Sequence, residues 1–336
     1  MHVYITCIYI TGIYILRVYI YIMKGKRTKK TLRKKRTKNK TIYKDKESKE
    51  FKQVKCSPSS DLEKINKAED FTCYNDETLL KIREIWNSRH PDAKIESTGT
   101  FEIWTNIKEK MKDSCNNESC WIKQMVNDNK MNKEILTHTF APSSPQTWKK
   151  NPNEWLSSVD IVKVMKQYEN AYSCFEFIGP SPIDFDTRML YNECVWKELC
   201  NFEIAKYIKK GKNKIGIIFN TDPHYKDGSH WISLFINIRK RFMLYFDSNG
   251  DKTPKEITVL CTRILNQCKK IGINDMNFYE NKLEHQKSNT ECGMYSLFLI
   301  IQLIKDVREY DYYMKNRIKD EEVEQLRKEY FNEETI

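Results

Sequence analysis

The phrase HQKSNTECGMYSLFLI at 285–300 constrains this chain more than any other segment. Gln286 stands six residues before Cys292, which runs through Gly293 into an apolar stretch that reads as a buried helix. A thiol opening a helix sits at the positive end of the macrodipole, which favours thiolate, the nucleophilic form. The Gln286 amide is a candidate hydrogen-bond donor to an oxyanion, and the Cys292 N–H is a second. Asn289, three residues before the thiol, is a rival for the place of Gln286. Taken alone, Cys292 reads equally well as a core residue, because free cysteines are among the most buried residue types. The decision lies upstream.

GSHWISLFINIRKRFMLYFDSNG (228–250) holds two apolar runs, 231–238 and 242–246, around a basic turn. They predict an antiparallel hairpin rich in β-branched and aromatic residues. His230 stands at the mouth of the first strand and Asp247 just past the end of the second. The two ends of a hairpin lie side by side, so imidazole and carboxylate fall at one edge of the sheet. A base that takes a proton from a thiol needs such an orienting carboxylate. His224 is a rival base, but its segment DPHYKDG is polar and turn-like and lacks an adjacent strand. His285 abuts Gln286.

The order His230, Asp247, Gln286, Cys292, the His230–Trp231 pair and the FDS after the second strand resemble the SUMO-protease-like (ubiquitin-like-protein-processing) cysteine peptidases. NEWLSSVDIVKVMKQYE (153–169) is similar to that family's opening segment, a Trp-Leu pair before a helix. In particular the chain resembles the polyprotein maturation proteases of large cytoplasmic DNA viruses, of the African swine fever virus type. It shares with them Asn220-Thr221-Asp222, the wording around Cys292, the tail at 317–331 and the cysteine-flanked CNNESC at 115–120. The resemblance covers residues 100–331, specific at 228–250 and 285–298 and weak towards the N-terminus.

The resemblance implies an α+β fold: a papain-like core of permuted order, a central mixed sheet flanked by helices, with a helical N-terminal arm domain that assists catalysis or substrate binding. It implies a cysteine endopeptidase with Cys292 as nucleophile, His230 as base, Asp247 as orienter and Gln286 in the oxyanion hole. Trp231 and Trp155 would line a narrow channel that only glycine threads. The substrate would be a structural polyprotein cut after Gly-Gly-like sites during virion maturation, in the virion and the viral factory of the host cytoplasm, with no cofactor. Two other readings compete. One is a SUMO or ubiquitin-like deconjugating protease, which must grip a folded domain, and nothing in 56–150 reads as such a grip. The other is an inactive binding protein acting through a basic tail, against which the intact His–Asp–Gln–Cys set weighs.

The net charge of +12 suggests a nucleic-acid partner until it is located. Residues 24–55 hold 16 Lys/Arg against 3 Asp/Glu. Residues 56–336 carry a formal charge of −2, so the basicity belongs to a tail. Such a run is expected to be solvated and disordered. Its alternatives are non-specific contact with nucleic acid or with an anionic membrane by counterion release. Residues 1–22 are apolar enough to suggest a membrane anchor, but Arg17 interrupts them and Met23 offers another start, so a mis-called start codon is preferred. The eleven cysteines are too scattered to predict a disulfide framework, and reduced thiols are expected. Cys115 and Cys120 would pair or bind metal, but with no second Cys/His pair zinc lacks a ligand set.

The chain divides into 1–55, the apolar leader and basic tail; 56–150, a helical arm; and 151–336, the catalytic domain, with a Pro/Ser/Asn-rich linker at 142–155. In the arm, Leu79, Ile82 and Trp86 mark one amphipathic helix, and Phe101, Trp104, Ile107 and Met111 a second. Beyond the linker the pattern predicts helices at 157–169 and 188–200, separated by a loop containing Pro180 and Pro182. Strands at 214–220, 231–238 and 242–247 follow. A helix after Pro254 carries Ile257, Leu260, Cys261, Ile264 and Cys268 on one stripe, and a short strand near 276–280 precedes the Cys292 helix.

Overall fold

The computed structural model describes residues 50–67, 71–126 and 129–333. The leader at 1–22 and nearly all of the basic tail at 24–55 lie outside the described residues. Among the described residues no helix is long and apolar enough to cross a membrane.

The centre is a five-stranded mixed sheet, ordered β1 (Phe175–Pro182), β2 (Lys214–Asn220), β3 (Trp231–Asn237), β4 (Phe242–Phe246) and β5 (Asn277–Glu280). The β2–β3 and β3–β4 pairs are antiparallel and the two outer pairs parallel. The three inner strands read as continuous apolar runs because both faces of the sheet are covered. Phe235, Phe242, Leu244 and Phe246 face one core, and Ile232, Leu234, Ile236, Met243 and Tyr245 face the other. Helix Lys255–Lys270 closes the second core with the five residues its stripe predicts.

The first core is built on helix Cys292–Ile304, which is apolar all round because it is buried between the sheet, helix Ser158–Ala171 and the C-terminal helices. Gly216 lets that helix approach β2, since a Cβ there would meet Ile300 Cγ2 at 2.9 Å. Helix Ser158–Ala171 starts from a capping box in which Ser157 and Asp160 each satisfy the other's backbone N–H. This mixed sheet flanked by helices is the α+β arrangement expected from the sequence.

Helices Pro58–Lys67, Asp76–Arg89, Thr100–Met111, Glu118–Met125 and Asn129–Thr139 precede the sheet, and most of their buried residues form a separate core around Trp121. Gln167 ties them to helix Ser158–Ala171 by donating to Thr137 O at 2.9 Å and Phe140 O at 2.8 Å. In Thr100–Met111 the buried stripe is Ile103, Ile107 and Met111, rotated from the expected one, and Phe101 is exposed.

Three sequence expectations fail. The stretch read as a proline-containing loop is strand β1, which sits at the edge of the sheet, where a missing N–H is tolerated. The helix expected at 188–200 reduces to a 3-10 turn at Leu190–Asn192 and a short helix Lys197–Cys200. Tyr191 and Asn192 have left-handed backbone, with φ of 62°, which ends a right-handed helix. The thiols are not mostly free: Cys56–Cys73, Cys115–Cys120 and Cys194–Cys200 are disulfides. Tertiary packing brings the first pair together, with Cys56 bridged to Phe140 and Tyr74 packed on the same ring. Cys115 and Cys120 are therefore paired, and among the described residues no cluster of His, Cys, Asp and Glu could hold a metal.

Candidate active site

The β3–β4 register, with Ser233 opposite Phe246, brings the residues just before β3 and just after β4 to one edge of the sheet. There His230 Nε2 lies 2.8 Å from Asp247 Oδ1. Asp247 is buried, and Oδ1 also accepts the Asn249 N–H at 2.8 Å. Its backbone is held from the neighbouring strand. β5 runs parallel to β4, so Asn281, one residue past β5, reaches Asp247 O with Nδ2 at 2.8 Å.

With Nε2 on Asp247, the other imidazole nitrogen is left for the thiol. Burial would lower the His230 pKa, but hydrogen bonds to Asp247 and Cys292 and the charges of both raise it to about 10. The imidazole is therefore protonated at neutral pH. Cys292 is buried at the first position of its helix, as the sequence predicts.

Gln286 is buried and locked at both ends of its amide. Oε1 accepts from Ser248 Oγ at 2.8 Å, and Nε2 donates to Ser288 O at 2.7 Å. Its backbone N–H donates to Ser248 O at 2.9 Å, tying the segment before Cys292 to the segment after Asp247. Asn289 has an exposed side chain, and its carbonyl accepts the Trp155 indole N–H at 2.9 Å. His224 is engaged elsewhere, with Nδ1 2.7 Å from Asp184 Oδ2. His285 is fully buried; Nδ1 accepts the Ile318 N–H at 3.0 Å, and burial pushes its pKa down to about 4.

Trp231 and Trp155 are brought together through Leu156. The Trp231 indole donates to Leu156 O at 2.9 Å. A Cβ on Gly293 would lie 3.0 Å from Leu156 Cβ and 3.1 Å from Trp231 Cδ1, so any larger residue behind the thiol would have to push Leu156 and Trp231 aside. Trp155 remains 44% exposed, whereas Trp231 is 9% exposed and is chiefly a packing residue here. Beside Trp231 opens a cavity of about 300 Å³, whose lining includes Pro182, Trp196, Asn220, His224 and Gly228.

Ser248, Asn281 and Leu156 went unassigned in the sequence. Asn281 follows β5 as Asp247 follows β4, but the parallel pairing that joins them is not written in either segment.

A thiol at a helix start beside a carboxylate-bonded imidazole, on a sheet of this topology, is the arrangement of a thiol hydrolase. Residues 203–336 match the Ulp1 protease family, C-terminal catalytic domain, so the chain is a cysteine protease with a Ulp1-like catalytic domain. Its relatives come from large DNA viruses. A protein of Acanthamoeba polyphaga mimivirus named as a thiol protease is 28% identical over 284 residues, 78% of this chain and 90% of its own. The SUMO-1 cysteine protease of African swine fever virus is 28% identical over 247 residues, 68% of this chain and 88% of its own. The crystal structure of the African swine fever virus protease shares the fold, with a TM-score of 0.60 at 23% identity over 84% of this chain and 96% of that one.

Proposed function

We propose that this cysteine protease cleaves viral structural polyproteins after Gly-Gly-like sites during virion maturation, through Cys292, His230, Asp247 and Gln286. The observation that carries the reading is the 2.8 Å His230–Asp247 bond beside a thiol that itself hydrogen-bonds the imidazole. His230, held charged by Asp247, carries the proton while Cys292 reacts as the thiolate. Cys292 Sγ attacks the scissile carbonyl carbon, and its oxygen takes the π electrons as an oxyanion. That charge is met by the Cys292 N–H and the Gln286 amide. Collapse breaks the C–N bond as His230 gives its proton to the leaving amine. Water, deprotonated by the now neutral imidazole, then hydrolyses the thioester.

Glycine preference is supported by Trp155, which stays 44% exposed while its indole bonds Asn289 O, three residues before the nucleophile. A polypeptide in the infected cell is the partner this reading requires. For the basic segment 24–55 a solubilising role is preferred, with non-specific contact to nucleic acid or an anionic membrane as the alternative. A second reading, deconjugation, has one observation in its favour: a relative is named a SUMO-1 cysteine protease.

The test is cleavage of a Gly-Gly-Ala reporter polypeptide by the full chain and by Cys292→Ala, in parallel with labelling by C-terminally electrophilic SUMO and ubiquitin. Reporter cleavage by the wild type alone, with little labelling, is expected. Efficient labelling with no reporter cleavage would favour deconjugation. Equal cleavage by Cys292→Ala would remove the nucleophile assignment.

A further inference from the structure

We infer that the buried ion pair Glu291–Arg327 is a positioning element for the nucleophile, holding the turn that aims the Cys292 thiol and backbone N–H. The inference rests on Cys292 being the nucleophile. Glu291 immediately precedes Cys292 and has no solvent exposure, and Arg327, 36 residues later, is 6% exposed. The contact is bidentate: Arg327 Nε meets Oε2 at 3.1 Å, and Nη2 meets Oε1 and Oε2 at 3.0 Å each. Thr290 Oγ1 adds a bond to Oε1 at 3.1 Å. Glu291 O accepts the Tyr295 N–H at 2.9 Å, so the residue anchored by the guanidinium also starts the helix. Its peptide link carries the Cys292 N–H.

The far end of the pair is equally fixed. The Arg327 guanidinium lies 4.5 Å over the Trp148 ring, and Trp148 packs edge-on against Phe331 at 5.0 Å. One residue further, Asn332 donates from Nδ2 to Lys55 O at 2.9 Å and to Ala141 O at 3.0 Å. The nucleophile's turn is thereby joined through the C-terminal segment to the residues that flank the N-terminal helices. This connection is separate from the Trp155–Asn289 bond.

Stability alone does not account for the pair. Desolvating two charges offsets much of their attraction, and packed apolar residues of similar volume commonly serve as well or better. What apolar residues do not supply is a two-point angular constraint on the residue before the thiol. Misplacing a reacting group by about 1 Å lowers rate by up to about a hundredfold.

The experiment compares the full chain with Glu291→Gln, Arg327→Met and the double variant Glu291→Met/Arg327→Met. The readouts are thermal midpoint, kcat and KM on a fluorogenic peptide amide ending in Gly-Gly, and the rate of Cys292 alkylation by iodoacetamide. The single variants are expected to lose stability, because each strands a buried charge. The double variant is expected to regain the wild-type midpoint while kcat stays down about tenfold or more, with KM within about twofold and alkylation slowed to a similar degree. A double variant folded like the wild type, with kcat and alkylation within about twofold of it, would overturn the inference. Should the double variant not fold, Arg327→Lys decides, since it keeps the charge but not the bidentate fork: wild-type kcat and alkylation overturn the inference, and a drop in both supports it. If the wild-type chain leaves the peptide uncut, the cleavage reading fails by itself, and the alkylation rates still decide the role of the pair.

Discussion

Replacing Asp247 by Asn removes one negative charge and little volume from beside His230. The two groups meet at 2.8 Å, and Asp247 is almost fully buried. At an effective dielectric constant near 20, unit charges about 4 Å apart interact by about 4 kcal/mol, worth about three pKa units. The His230 pKa, held at about 10 with Asp247 present, should therefore fall to roughly 7 in Asp247→Asn. If the active form needs the imidazolium as proton donor, the alkaline limb of kcat/KM marks loss of that proton. On a fluorogenic Gly-Gly peptide the wild type should hold its rate to about pH 9 and Asp247→Asn should decline from about pH 7. An alkaline limb that stays at the wild-type position in Asp247→Asn would show that the carboxylate does not set the charge on His230. The sign for stability follows from the same shift. A folded pKa raised above the unfolded 6.5 adds stability present in full below pH 6.5 and lost as pH rises through about 10, so Asp247→Asn should flatten stability over that window.

Other outcomes are open to measurement. Gln286→Ala should lower kcat by about a hundredfold with little change in KM, as for removal of one oxyanion donor; a rise in KM with unchanged kcat would make Gln286 a binding residue only. Gly293→Ala places a methyl 3.0 Å from Leu156 Cβ and should cost about 1–3 kcal/mol by overpacking, read as a lower thermal midpoint; an unchanged midpoint would mean that Leu156 and Trp231 give way freely. His285, with its pKa pushed down to about 4, adds stability that is present above pH 6.5 and lost as pH falls through 4. Integrated from pH 7 to 4.5, that loss is about 2.5 kcal/mol, and urea titrations should show it missing in His285→Gln; identical pH dependence in the variant would place the acid sensitivity elsewhere.

The strands and helices that could be read from the chain are those whose burial is set by one repeating environment. β2, β3 and β4 are apolar residue after residue because both faces are covered, and helix Lys255–Lys270 shows one clean stripe because only one face is covered. β1 could not be read this way. Gly179, Pro180 and Pro182 are loop punctuation in any local window, and only its place at the edge of the sheet makes them admissible. The helix Thr100–Met111 was legible but its facing was not. Phe101 and Trp104 satisfied the period as well as Ile103 did, yet Ile103 is fully buried while Trp104 lies beside the core, donating to Glu118 and packing against Trp121, contacts that no local window contains.

The same division runs through the site. His230 and Asp247 were legible because a hairpin turns sequence order into proximity: its register is local, and its two ends must meet. Cys292 and Gln286 were legible because the helix start and the six-residue spacing lie within one phrase. The residues that fix these four in place are another matter. Asn281 reaches Asp247 across a parallel strand pair, and Arg327 reaches Glu291 across 36 residues, which hold the helix Cys292–Ile304 and two short helices. Neither distance is encoded by a period or a turn. Each is set by how the C-terminal half packs once the first core has formed. Chemistry carried by adjacent chain segments can be read in one dimension, and the precision with which it is held cannot. The sensitivity of catalysis to Glu291, Arg327 and Asn281 therefore has to be measured at each of these positions.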